Sequence, residues 1–193
     1  MIAQMNLLAT SLTLLTFISR FIFPQVSLEA RRFCILGMAP IDRGKILRSK
    51  LTLSLIVSIL IGLFLILLSS VMLKSPVELT VLHGVTIVGV CVGLSGLSVG
   101  LGTLYPNPAE ENPSKIVSGF GGTLNLVFSL GFLLAVIGVQ AIPCYFYFSK
   151  KALAEETFHL ILGAAVVLIV ALSLFACWLP ITLGSRKIRR MEL

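Results

Sequence analysis

The sequence predicts an all-α, polytopic membrane protein with about five membrane-crossing helices, and three observations carry that expectation. Hydrophobic residues make up 57% of the chain and charged residues 12%, against roughly 45–50% and 25% in a soluble domain. Uncharged apolar runs longer than the ~18 residues that mark a transmembrane helix recur along the chain. The basic residues gather at the ends of those runs, where anionic headgroups and topology account for them. A soluble core of 193 residues could not hide so much apolar surface, so the expected solvent is lipid.

The same placement decides how the net charge of +7 is read. In a soluble chain it would suggest nucleic acid; at span ends it suggests membrane lipids, and no nucleic-acid partner is expected. Cys34, Cys91, Cys144 and Cys177 are widely spaced and form no C-x-x-C. They are expected to be small packing residues, with neither a metal site nor a disulfide framework.

The elements are taken in order, as one transmembrane domain over 1–193. The first span is 7–23, interrupted only by uncharged polar residues and by Arg20 near its end. No basic segment precedes it and no cleavage site follows, which argues against a signal peptide. It begins almost at Met1, suggesting a piece of a longer chain. Residues 24–50 form the most charged segment. A second span covers 51–73, and after a short turn at Lys74 and Pro76 a glycine-rich third covers 79–104. A loop at 105–123 is punctuated by Pro106, Pro108 and Pro113 and closes on Gly119, Gly121 and Gly122. The fourth span is 124–142. An aromatic interfacial segment at 143–158 suits the headgroup region, a fifth span covers 159–179, and 181–193 is a basic tail.

Lys and Arg number six in 24–50, one in 105–123 and four in the tail, against one at 74–78 and two at 143–158. Eleven against three places the first group in the cytoplasm by the positive-inside rule. The N-terminus is then outside and the C-terminus cytoplasmic, in a bacterial inner membrane.

Within 24–50, Ser27 is expected to cap a short helix ending before Pro40. Val26, Ala30, Phe33, Cys34, Gly37 and Met38 share one face of it, with Glu29, Arg31 and Arg32 opposite, as in an interfacial helix. Leu28, Ile35 and Leu36 interrupt the polar face, which suits docking into a protein groove equally well. Asp42 is placed to cap the next helix, anchored by Arg43, Lys45, Arg48 and Lys50. In the third span, Gly89, Gly93, Gly96 and Gly100 let helix backbones approach closely, so that span is expected at the centre of the bundle, through packing rather than as a pathway lining.

Chemistry is sparse. Arg20 is within snorkelling reach of the cytoplasmic face, and His83 and His159 are expected at the outer interface. Without a buried carboxylate, coupling to protons or sodium is disfavoured. No G-x-x-x-x-G-K-[ST], H-E-x-x-H or G-x-S-x-G occurs, so no catalytic residue is expected and any energy input must come from another chain. Asn125, Ser129 and Gln140 are expected to make interhelical hydrogen bonds. Three roles stay open from the residues alone: a transport component, a non-transporting membrane scaffold or assembly factor, and a passive pore, the last opposed by the lack of polar residues in the spans.

The run Ser27-Leu28-Glu29-Ala30-Arg31-Arg32, then Met38-Ala39-Pro40-Ile41, Arg43 and Lys50, resembles the first large cytoplasmic loop of type-2 bacterial ABC-exporter permeases. The segment Gly102-Thr103-Leu104-Tyr105-Pro106, with Glu111-Asn112-Pro113-Ser114-Lys115-Ile116 and Ser118-Gly119-Phe120-Gly121-Gly122, is similar to the second loop of the same family. The resemblance implies spans two to six of a six-span half-transporter, a C-terminal part of a longer chain. It implies a permease forming the translocation pathway, with no enzymatic activity and no cofactor of its own. A separate ABC ATPase subunit would use ATP and dock on a coupling helix formed by Leu28, Glu29, Arg31, Arg32, Ile35, Leu36, Pro40 and Arg43. Asn112, Pro113, Lys115, Gly121 and Gly122 would form the second loop motif, and a homodimer or second permease half would complete the assembly.

Overall fold

The computed structural model describes residues 2–30, 43–74, 76–107, 110–148 and 155–190. All of its regular elements among these residues are helical: α1 (Ile2–Phe17), a π turn (Ile18–Ile22), α2 (Phe23–Ala30), α3 (Arg43–Leu73), α4 (Val77–Leu104), α5 (Pro113–Ser118), α6 (Phe120–Phe148) and α7 (Glu155–Arg190). Five stretches are long and apolar enough to cross a membrane: Ile2–Gln25, Leu47–Leu73, Leu79–Leu104, Phe120–Phe146 and Leu160–Ser185.

The helices overrun the expected boundaries, each time for a physical reason. The first span was expected to stop at Phe23, yet the chain stays helical through Pro24 to Ala30. Immediately before the proline the ladder widens: Phe23 N–H donates to Ile18 C=O, five residues back. A ring of that size gives the proline room where it would otherwise crowd the preceding turn. Ser27 is therefore inside a helix and caps nothing, a correction to its expected role. Likewise α6 continues through Pro143 and α7 through Pro180, where spans were expected to end. Membrane helices tolerate proline because neighbouring groups take up the freed backbone carbonyl. Residues 143–148 thus extend α6 and 155–158 open α7. With 31 residues, α3 is about 46 Å long, well beyond a hydrocarbon core of about 30 Å; its first turns, 43–50, are the basic anchor expected to follow Asp42 ahead of the apolar span.

Burial orders the bundle. Over the 18-residue apolar window of the third stretch 78% of residues are buried, against 22% in the second and 17% in the fifth, so α4 is the central helix and α3 and α7 are peripheral. Leu7, Leu14, Ile18, Ile87, Val90, Leu94, Leu133, Val136 and Ile169 form the main core. The outer faces of α3 and α7 are apolar: Leu60 is 67% exposed, Phe64 63% and Val167 69%. Such faces need cover from lipid or from another protein.

The α4–α7 contact is the most extensive in the molecule, and its residues are small. A Cβ added at Gly89 would lie 2.8 Å from Ser173 Oγ, one at Gly96 would strike Cys177 Cα and lie 2.7 Å from its Cβ and Sγ, and one at Gly100 would lie 2.5 Å from Pro180 Cβ. Opposite them, Ala165, Ile169, Ser173, Cys177, Pro180 and Gly184 recur every three or four residues along α7. Gly93 turns to a different neighbour, and a Cβ there would meet the Phe132 ring of α6. The four glycines thus serve two seams.

Polar groups join the helices at depth. Ser98 Oγ on α4 is 3.1 Å from Asn125 Oδ1 on α6, whose Nδ2 donates to Ser19 Oγ at 3.3 Å. Thr86 Oγ1 is 2.7 Å from Gln140 Oε1, Ser58 Oγ pairs with Ser95 Oγ at 3.2 Å, and Asn6 pairs with Ser69. Ser129 is fully buried without a protein hydrogen bond, so the expected interhelical bonds form at Asn125 and Gln140 and not there. His83, expected at the outer end of its span, is 2% exposed, with Nε2 4.0 Å from the Sγ of Cys144, which itself packs with Leu79, Leu82, Leu162 and Val166.

Candidate functional site

One end of the bundle gathers the parts of both loops that the sequence singled out. Phe23, at the start of α2, is 1% exposed and packs with Leu101 at the end of α4 and Ile116 of α5, flanked by Leu104 and Val117. Ser27, one turn further, has no exposed surface, and its Oγ accepts a hydrogen bond from the Asn107 backbone N–H at 3.2 Å. The side chain that reads as a helix cap in sequence is a strap between the segment after the first span and the loop after the third. Lys50 Nζ on α3 reaches the Gln25 carbonyl at 3.4 Å. The far part of α7 joins at the same end, where a Cβ on Gly184 would lie 3.2 Å from Thr103 Cβ.

The second loop is built by local rules. Asn112 is the N-cap of α5: its Oδ1 accepts from Ser114 N–H at 3.0 Å, and Pro113 occupies the first helical position, where its missing N–H costs nothing. Lys115 Nζ lies 3.3 Å from Glu110 Oε1, across the start of that helix. At Gly119 the backbone is extended, and its carbonyl accepts Thr123 N–H at 3.0 Å, which starts α6. Gly121 and Gly122 belong to the first turn of α6, not to a loop. A Cβ at Gly122 would collide with the Val117 carbonyl; one at Gly121 would lie 2.7 Å from Tyr105 Cβ and 3.3 Å from Phe23 Cζ. These two glycines let α5 fold back on α6 and let Tyr105 and Phe23 close the corner. Tyr105 and Phe120 stack edge to face at 5.7 Å.

Of the expected partner-docking residues, Leu28 lies on α2 and is 37% exposed, Glu29 is helical, and Arg43 opens α3. Arg31, Arg32, Ile35, Leu36 and Pro40 lie outside the described residues, as do Cys34 and Asp42. Sequence reasoning missed Phe23, Gln25, Tyr105 and Asn107 as members of the corner. A buried aromatic directly before a proline is a signal for Phe23; the Asn107 contact is made through backbone and leaves no mark in the side-chain pattern. No group of three or more potential metal ligands exists among the described residues.

The corner ties α2, α3, α4, α5, α6 and α7 together with the second loop. Among known proteins, the family described as "Putative ATP-binding cassette" matches residues 1–193. No curated protein and no solved structure matches the chain. The family description points to an ATPase-type ABC component and overturns two expectations: that the chain acts as a permease forming a translocation pathway for a separate ATPase, and that it has no enzymatic role. Both had rested on the resemblance of two loops to exporter permeases, together with apolar spans and a missing phosphate-loop motif. The match runs from the first residue to the last, and the chain belongs to the Putative ATP-binding cassette family.

Proposed function

We propose that the chain is the membrane-embedded part of an ATPase-type ABC component that works in an assembly with other ABC components, with ATP as the cofactor of that assembly. The observation that carries this is the fall of a whole-chain match to an ATP-binding cassette family on a bundle with five apolar, membrane-length helices. The bundle holds the component in the bilayer, and the corner of α2, α5 and the start of α6 is where nucleotide-driven movement enters it. Two features support that choice of end. The corner joins several helices through buried contacts, and the chain segments that meet there carry the excess of Lys and Arg, which faces it to the cytoplasm, the ATP-containing side of a bacterial inner membrane.

The test uses the full chain, tagged, extracted from its own membrane into lipid nanodiscs together with whatever stays bound. Photolabelling with an azido-ATP probe should mark the purified material, and excess ATP should compete the label away. Purified material that takes no ATP-competed label would sink the proposal.

A further inference from the structure

The segment 23–30 is joined to the first apolar helix at a break in the regular backbone ladder. The π turn at Ile18–Ile22 replaces a standard helical bond by the wider Phe23-to-Ile18 bond. One residue later Pro24 supplies no N–H, so the Arg20 carbonyl receives nothing from position 24. A π turn and a proline in succession are the two commonest causes of a break or bend in a helix. Ser19, inside the π turn, is held by Asn125 Nδ2, which fixes the bundle side of the joint and leaves the far side to move.

The holds beyond the joint are of two kinds. Phe23 sits next to the joint, buried with Leu101 and Ile116, and can stay seated while the segment swings. Further out the holds are polar: Ser27 Oγ receives Asn107 N–H at 3.2 Å, and Lys50 Nζ meets the Gln25 carbonyl at 3.4 Å. Ser27 is itself fully buried, but its donor Asn107 is exposed, and once the segment swings out both groups can bond to water instead, at little net cost; Leu28, beside Ser27, is already 37% exposed.

We propose that the π turn at Ile18–Ile22 is a hinge and that the Ser27–Asn107 hydrogen bond is the latch that holds the segment 23–30 against the second loop. Opening the latch frees Ser27 and Asn107 together, so a swing of the segment 23–30 reaches the loop ahead of α5 through that bond, while Phe23 keeps its contact with Ile116 of α5. The device is internal to the chain and stands independently of the nucleotide reading.

The test places spin labels at Leu28→Cys on the segment and Lys115→Cys on α5, both exposed sites, in the full chain in nanodiscs with Cys34, Cys91, Cys144 and Cys177 changed to alanine. Pulsed electron resonance should show two separations. Ser27→Ala should raise the population of the longer one at least threefold, and Ser27→Thr, which keeps the hydroxyl, should leave it near its original value. Pro24→Ala, which restores the missing N–H, should lower it. The Pro24→Ala comparison stands by itself if Ser27→Ala loses helix content. A single narrow separation, the same in the parent and in Pro24→Ala, would overturn the proposal.

Discussion

At Gly96 the backbone of α4 passes so close to Cys177 that a methyl group would enter the Cys177 main chain, whereas Gly138, on α6, has nothing within 4 Å of where its Cβ would stand. The two positions are chemically identical and physically opposite. Gly96→Ala overpacks a seam between two backbones and is expected to cost about 1–3 kcal/mol, read as a lower thermal midpoint in detergent. Gly138→Ala removes a flexible residue from a helix interior without a clash and should leave the midpoint unchanged or raise it by up to about 1 kcal/mol. Equal effects at both positions would refute the seam. A second residue-scale case is Lys74, which ends α3 at φ 49, a left-handed conformation that a side chain adopts at a cost of about 1 kcal/mol. Lys74→Gly should stabilise the protein by roughly that amount in the same assay, and a loss of stability would contradict it.

The elements show what the residue pattern could and could not convey. Apolar runs located all five membrane-length helices, because lipid demands about 20 apolar residues whatever the tertiary contacts. The helices run on through Pro24, Pro143 and Pro180, beyond the expected apolar spans, although in water an unpaired carbonyl and a crowded turn at a proline end a helix. In this chain a π turn makes room at Pro24, and Pro180 is seated against Gly100. The second loop was legible in part: Asn112-Pro113 is a cap and a first helical residue by local rules alone, but the contact of Gly122 with Val117 needs the fold. Asn112→Ala should cost about 1 kcal/mol through loss of the cap, seen as faster amide exchange over 114–118 with the bundle unchanged; equal exchange would contradict the cap. Asn125, which joins α6 to both α4 and the π turn, is a stronger tie. Asn125→Leu should lower stability by about 0.6–1.7 kcal/mol, the range for hydrogen bonds between membrane helices, and a neutral result would show that the Ser98–Asn125–Ser19 chain holds nothing.

Taken whole, the molecule is a central helix, α4, enclosed by four others, with one tied end and one end closed by the Leu79, Leu82, Cys144, Leu162 and Val166 cluster. The central place of α4 could be read from its glycines. The corner could not, because it is built from a backbone N–H at Asn107 and an aromatic at Phe23 that are 84 positions apart in sequence. Its sidedness is testable on the described surface. Lys115 is 67% exposed at that end, so Lys115→Cys should react with a membrane-impermeant maleimide in inside-out vesicles and stay protected in right-side-out ones, and the reverse pattern would contradict a cytoplasmic corner. The component's role was the part least visible from the residues, since a bundle of apolar helices carries no trace of the nucleotide chemistry that its family description names. The most direct measurement is therefore ATP hydrolysis by the nanodisc-embedded chain with its bound components: phosphate release above that of empty nanodiscs and sensitive to vanadate is the predicted result, and an intact five-helix assembly that releases none would contradict the account.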